Sequence, residues 1–81
     1  MTKLNNIECA TQVAQAIHFA QNNNQMESII KIIKNDNLVT QIDVSRVAVG
    51  QSINELRLYV SRRLNNFQSN TLDWNIQELV A

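Results

Sequence analysis

The chain has 81 residues, no proline, one glycine and a formal net charge of zero, from seven basic and seven acidic side chains. Balanced charge argues against a protein that depends mainly on phosphate contacts, because such proteins cluster Lys and Arg. The single cysteine excludes an intramolecular disulfide framework. No apolar run approaches the ~20 residues that cross a bilayer, and no signal peptide is recognisable. We therefore expect one cytoplasmic domain over residues 1–81, without membrane contact.

Four pairs of residues match a capping pattern, in which an Asn, Ser or Thr is followed three residues later by an acid and then by apolar residues. The first side chain can accept a hydrogen bond from an N–H of the first helical turn, and the acid can bond back to the capping residue. The acid also suits the positive end of the helix dipole. The four pairs are Asn5 with Glu8, Asn24 with Glu27, Thr40 with Asp43, and Ser52 with Glu55. This repetition predicts an all-α fold, a small bundle of about five short helices.

The first two predicted helices follow the first two capping pairs. Apolar residues recur at helical spacing over residues 7–21, and the many alanines on this face allow a neighbouring helix to approach closely. A second helix is expected over residues 25–34, where isoleucines cover a wide arc. Such an arc is typical of a central helix that contacts others on more than one side. Residues 35–37, Asn-Asp-Asn, then indicate a turn.

Residues 38–49 are open to two interpretations. Ile42 and Val44 alternate as in a strand, and their neighbours are rich in β-branched side chains. The capping pair at Thr40 and the position of Gly50, suited to the end of a helix, favour a short helix instead. We favour the helix, because a lone strand would need a partner and none is evident.

Two further helices are predicted in the C-terminal third of the chain. The better defined covers residues 53–66, where apolar side chains repeat at spacings of three and four, as on a packed or coiled-coil helix. A final short helix is expected over residues 72–80, with Trp74 outside its apolar stripe. The repeating side chains of the first are Ile53, Leu56, Val60, Leu64 and Phe67.

Groups that support catalysis or metal binding are scarce. Cys9 and His18 are the only thiol and the only imidazole, and a separation of nine residues puts them on opposite sides of the first helix. There is no glycine-rich phosphate loop, and neither paired carboxylates nor Cys/His clusters occur at ligand spacing. We therefore expect no enzymatic activity, no cofactor and no metal.

A short helix, a turn and a second helix are predicted across residues 40–66. Gly50 lies in the turn, and Leu56 and Val60 lie on the buried side of the second helix. This arrangement resembles the helix-turn-helix unit of DNA-binding regulators. The resemblance implies contacts with bases or phosphates, since Asn and Gln can pair with adenine and Arg with guanine. The implied DNA-binding residues are Gln51, Asn54, Arg57, Arg62 and Arg63.

Two positions depart from the helix-turn-helix pattern. Arg46 stands where that family usually has a small residue, and Gln51 stands where it usually has an apolar one. The alternative is a plain helical hairpin whose polar face is solvated, and we favour this hairpin over DNA recognition.

Large apolar side chains outside the predicted stripes favour a protein partner. Leu58 lies about 200° around its helix from Leu56. Exposed apolar and aromatic residues that cluster are a common sign of a contact surface, whereas scattered ones are ordinary. The predicted protein-binding residues are Leu58, Tyr59, Arg62 and Trp74.

These patterns together predict a small, non-enzymatic regulatory binding protein that acts through a helical protein-interaction surface. It would be an inhibitor or an antitoxin-like or chaperone-like partner, and the alternative is a helix-turn-helix transcriptional regulator that binds DNA. A homodimer is favoured, because a chain of 81 residues gains stability from a shared core.

Overall fold

The computed structural model describes residues 3–64 and 74–80, and its architecture is α+β. Two α-helices cover one face of a three-stranded antiparallel sheet. The elements are α1 (Asn6–Asn22), β1 (Ile29–Lys34), β2 (Asn37–Asp43), a 3-10 turn (Val44–Arg46), α2 (Ile53–Leu64) and β3 (Trp74–Leu79). The predicted all-α bundle of about five short helices is therefore wrong.

α1 begins where its capping pair predicts. The Glu8 N–H donates to Asn5 Oδ1 at 2.8 Å, and the Asn5 N–H donates to Glu8 Oε1 at 3.1 Å. The predicted alanine-rich face is buried and packs against α2. The first helix and its capping box are thus confirmed.

α2 also begins at its predicted cap. The Glu55 N–H donates to Ser52 Oγ at 3.2 Å, and the Ser52 N–H donates to Glu55 Oε1 at 3.1 Å. Leu56, Val60 and Leu64 are buried on one face, as their spacing predicts. Residues 65–67, at the end of the predicted helix and its apolar repeat, lie outside the described ranges.

A β-hairpin replaces the second and third predicted helices. β1 is dominated by isoleucine, whose β-branched side chain fits a strand better than a helix. Asn35 and Asp36 have φ of +50° and +65°, so they form a tight two-residue turn whose twist suits a hairpin. The helices predicted over residues 25–34 and 38–49 are wrong, because each segment provides the strand partner that the other needs.

The second and third capping pairs cap no α-helix. Asn24 follows α1 with φ +56°, and Thr40 lies within β2. Asp43 instead caps the 3-10 turn, with its Oδ1 accepting from the Ser45 N–H at 3.0 Å and from Ser45 Oγ at 2.6 Å. These bonds favour the ionised carboxylate and lower the pKa of Asp43.

β1 is the central strand, and β2 and β3 flank it in the order β2-β1-β3. Both pairings are antiparallel, with Ile32 opposite Thr40 on one side and Ile76 on the other. β3 occupies described residues of the helix predicted over 72–80, so that prediction is wrong; residues 72 and 73 lie outside the described ranges. Between β2 and β3 the chain passes from one edge of the sheet to the other, and α2 lies within this connection.

The core lies between the helices and one face of the sheet. Trp74 is fully buried there, its indole N–H donates to Asn6 Oδ1, and the Lys34 ammonium lies 5.4 Å from its ring centroid. The polar end of this aromatic side chain thus has a partner, as burial requires. The other buried apolar residues are Leu4, Cys9, Ala10, Val13, Ala14, Ile17, Ala20, Ile30, Ile32, Ile42, Val44, Val47, Leu56, Val60 and Leu64.

Candidate protein-interaction site

The region of the predicted helix-turn-helix unit, residues 40–66, lacks the first helix of that motif. β2 extends to Asp43, the 3-10 turn follows, and the chain then runs without regular structure to α2. Gly50, with φ +83°, lies in this loop and not between two helices. The predicted helix-turn-helix unit is wrong, and the DNA-binding interpretation loses the motif on which it rested.

The residues assigned to DNA lie in different environments. Gln51 is partly buried and donates to the Ala48 carbonyl at 2.9 Å, so its amide is engaged within the loop. Asn54 and Arg57 are exposed on α2 and approach each other at 3.5 Å. Arg62 is also exposed on α2, whereas Arg63 turns towards the sheet, as described below.

The residues assigned to a protein partner lie in different environments. Leu58 is 59% exposed and shares the outer side of α2 with Arg62, one helical turn away. Tyr59 is partly buried and packs against the core. Trp74 is completely buried, so its side chain is not available on the surface of this chain. The outer side of α2 therefore keeps two of the four predicted residues.

A second surface lies at the edge of β3 that faces away from β1. Trp74 and Leu4 exchange both backbone hydrogen bonds across this edge, at 2.8 and 3.0 Å. In an antiparallel ladder the N–H and C=O of one residue point to the same side, and the side alternates along the strand. Ile76 and Glu78 therefore also direct their backbone groups outward, while Asn75 and Gln77 direct theirs to β1.

Beyond Trp74, the outward backbone groups described in β3 are those of Ile76 and Glu78. Within residues 3–64 and 74–80, no backbone hydrogen bond reaches Ile76 or Glu78 from this side. An edge strand with unpaired N–H and C=O groups is a template for another extended chain. The described part of the protein thus protects only the first residue of the β3 edge.

A groove runs beside this open edge, between β3 and α1. It has a volume of about 540 Å³, and Phe19 stands at its side with 61% of its surface exposed. Side chains on β3 alternate between faces, so Ile76 and Glu78 lie on the helix side of the sheet with Trp74. The groove is lined by Gln12, Gln15, Ala16, Phe19, Ile76 and Glu78.

The opposite edge of the sheet, at β2, is protected by a side chain from α2. Arg63 Nη2 donates to Thr40 Oγ1 at 2.8 Å and to the Gln41 carbonyl at 3.3 Å. The Arg63 guanidinium also lies 5.9 Å from the ring centroid of Tyr59. A charge placed on an edge strand is a common obstacle to further pairing. Arg63 thus engages one backbone carbonyl of the β2 edge, whereas Leu4 engages both backbone groups of Trp74 at the β3 edge.

Reactive chemistry has little support in the described residues. Cys9 is fully buried, and burial raises the pKa of its thiol to about 12, which keeps it protonated and unreactive near neutral pH. His18 contacts the Asn22 amide at 3.1 Å. Across residues 3–64 and 74–80, no group of three or more His, Cys, Asp or Glu side chains is placed to hold a metal ion.

Sequence reasoning missed the β3 edge because it assigned a helix there. The available signal was the alternation over residues 74–79, Trp-Asn-Ile-Gln-Glu-Leu, in which apolar and polar residues largely take turns. Leu58 and Arg62 were placed on an exposed surface because the boundaries of α2 could be predicted.

In the described part of the chain, neither helix has both the length and the apolar composition needed to cross a bilayer. No known protein family matches this chain, and comparisons with curated proteins and with solved structures find no significant match.

Proposed function

We propose that this chain is a non-enzymatic protein-binding module that adds an extended segment of a partner protein to the edge of β3 that faces away from β1. The observation that carries the proposal is the pair of outward-facing residues, Ile76 and Glu78, whose backbone groups no described residue engages. Backbone pairing of this kind is a recurring way for a sheet to bind a peptide. A reducing compartment such as the cytoplasm suits the free Cys9 thiol and belongs to the same proposal.

The groove beside β3 supports this mode of binding. Residues of an added strand that lie opposite Ile76 and Glu78 would point to the helix side of the sheet and enter the groove. There they would meet Phe19, whose exposed ring offers apolar area close to the edge. Backbone hydrogen bonds would provide general affinity, and contacts in the groove would provide selectivity.

The geometry suits a short and reversible interaction. Two residues on β3 offer four backbone groups, and each hydrogen bond contributes about 0.5–1.5 kcal/mol net. Such a contact buries less area than the roughly 1,200 Å² at the lower end of stable interfaces. Regulatory binding that must be released suits this scale better than permanent assembly.

The outer side of α2 is a second candidate surface for a protein partner. Leu58 is 59% exposed, and a shallow groove of about 310 Å³ is lined by Asn54, Arg57, Leu58 and Ser61. Arg57 and Arg62 flank the exposed leucine, so an acidic, partly apolar surface would be complementary. This is the helical interaction surface that the sequence predicts, reduced to the residues that the structure exposes.

Selection from a displayed library of random peptides tests the proposal, with three forms of the full chain as bait. Glu78→Pro removes an outward N–H but no hydrogen bond to β1, and proline is tolerated on edge strands. We expect selection on the wild-type chain to enrich peptides. These peptides should also bind the Leu58→Asp variant, but they should not bind the Glu78→Pro variant. Thermal unfolding of each bait confirms that all three are folded.

Glu78→Gln is the matched control, since it changes the same side chain but keeps the backbone N–H. Peptides that bind Glu78→Pro as tightly as wild type would contradict strand addition at β3. If the selected peptides failed to bind only the Leu58→Asp variant, the interaction would lie on α2. Failure to enrich any peptide on wild type would contradict the proposed function.

A further inference from the structure

We infer that the segment taken up at β3 carries a basic residue opposite Glu78 and an apolar residue opposite Ile76. This inference rests on the proposed function and specifies its partner. It follows from the charge of the groove, from the direction of pairing along β3, and from the effect of Glu78 on pairing with a second copy of the chain.

The groove between α1 and β3 is lined by one acidic side chain together with apolar and amide side chains. Glu78 is the one charged side chain among the described residues that line it. Ile76 lies two residues nearer Trp74 on the same face and lines the same groove as Ala16 and Phe19 of α1. A Lys or Arg opposite Glu78 would form a cross-strand ion pair, and an apolar side chain opposite Ile76 would cover exposed apolar surface.

The pairing direction sets the order of these two residues in the partner. β3 is antiparallel to β1, and its bridge with Leu4 is antiparallel as well. An antiparallel partner meets Glu78 first and Ile76 two residues later, because strand residues alternate between faces. The recognised segment therefore reads basic, any residue, apolar, from its N-terminus to its C-terminus.

The same edge disfavours a second copy of this chain. Two β3 strands can pair about a two-fold axis, but Leu4 already occupies the position beside Trp74. The register that uses both Ile76 and Glu78 and leaves Leu4 in place sets Ile76 opposite Val80 of the second copy. It also sets Glu78 directly opposite Glu78 of that copy, and like charges at this position are destabilising. A partner with a basic residue is thus preferred over self-association at β3.

Two synthetic peptides that differ at one position test the inference. Both are Thr-rich for strand propensity and carry Val at the position opposite Ile76, and two residues before it one has Lys and the other Glu. Fluorescence anisotropy with the full chain measures each dissociation constant. We expect the Lys peptide to bind wild type about fivefold more tightly than the Glu peptide, as an exposed cross-strand charge pair allows.

Variants at Glu78 provide the controls, since its side chain is exposed and lies outside the core. Glu78→Gln should remove most of the difference between the peptides, and Glu78→Lys should reverse their order. Added salt should weaken the preference of wild type for the Lys peptide, because exposed charge pairs are screened.

The possible outcomes separate the inference from the proposed function. If both peptides bound wild type equally and neither bound Glu78→Pro, the charge preference would be overturned. Strand addition at β3 would still stand. Binding of library-selected peptides without binding of the Lys peptide would also overturn the inference alone. If neither these peptides nor any selected peptide bound, both would fail.

Discussion

Asp36 occupies the second position of the hairpin turn with φ +65°, where a residue without a β-carbon is less strained. Asp36→Gly should therefore raise the free energy of unfolding by about 0.5 kcal/mol, since relief of left-handed strain exceeds the added chain entropy. Chemical denaturation measures this change. Asp36→Ala is the control and should lower stability by about 1 kcal/mol. If the glycine variant were less stable than the alanine variant, the left-handed conformation of Asp36 in the turn would be contradicted.

Cys9 links stability to alkaline pH. Burial raises the pKa of the thiol from its ordinary 9.0 to about 12, so the unfolded chain loses this proton at lower pH than the folded chain. The stabilisation is complete below pH 9.0 and is lost as pH rises towards 12. From about pH 8 to about pH 10, wild type should lose about 1 kcal/mol more unfolding free energy than Cys9→Ala.

Urea denaturation at several pH values measures this difference, and the Cys9→Ala variant removes the background from other groups that titrate in the same range. Parallel pH dependence of wild type and variant would show that the thiol is not buried as described. A thiol reagent offers a second readout, because Cys9 should react only after unfolding.

Among the secondary-structure elements, α2 is linked to β2 by the side chain of Arg63. A charge pattern alone would assign Arg63 to a binding surface. Arg62 and Arg63 are both exposed, but Arg63 bonds to Thr40 Oγ1 and to the Gln41 carbonyl. Arg63→Ala should lower the free energy of unfolding by about 1 kcal/mol, and Arg62→Ala should change it by less than about 0.5 kcal/mol. Equal effects of the two substitutions in thermal or chemical unfolding would contradict this asymmetry.

The helices and strands differ in how far local sequence specifies them. α1 and α2 each have a capping pair at the start and a buried face at helical spacing, so both could be predicted. β1 misleads because Ile29, Ile30 and Ile33 match a helical stripe, although Ile30 and Ile32 also match the inner face of a strand. Tertiary pairing decides between the two periods, and pairing is not visible in a short window of sequence.

The interaction surfaces show the same limit. The exposure of Leu58 and Arg62 follows from helical geometry, which could be read once α2 was assigned. The burial of Trp74 and the pairing at the β3 edge depend on which distant segments lie beside that strand, namely β1 and Leu4. Such long-range neighbours are set by the complete fold, so the alternation over residues 74–79 could indicate a strand but not which segments lie beside it.

At the scale of the whole molecule, a different segment of the described chain contacts each edge of the sheet. Arg63 of α2 covers part of the β2 edge, and Leu4 covers only the start of the β3 edge. The groove along α1 lies beside β3. A partner strand at β3 would extend the sheet from three strands to four without displacing any described element. The groove and the outward backbone groups of Ile76 and Glu78 are the basis of the proposed binding mode.

The most direct test is amide hydrogen exchange along β3, measured by NMR with and without a peptide selected on the wild-type chain. Strand addition predicts that the peptide slows exchange at the outward-facing amides of Ile76 and Glu78. Asn75 and Gln77 already donate towards β1, so their exchange should change much less. Slower exchange that alternates in this way would support the central claim. Bound peptide with unchanged exchange at Ile76 and Glu78 would contradict it.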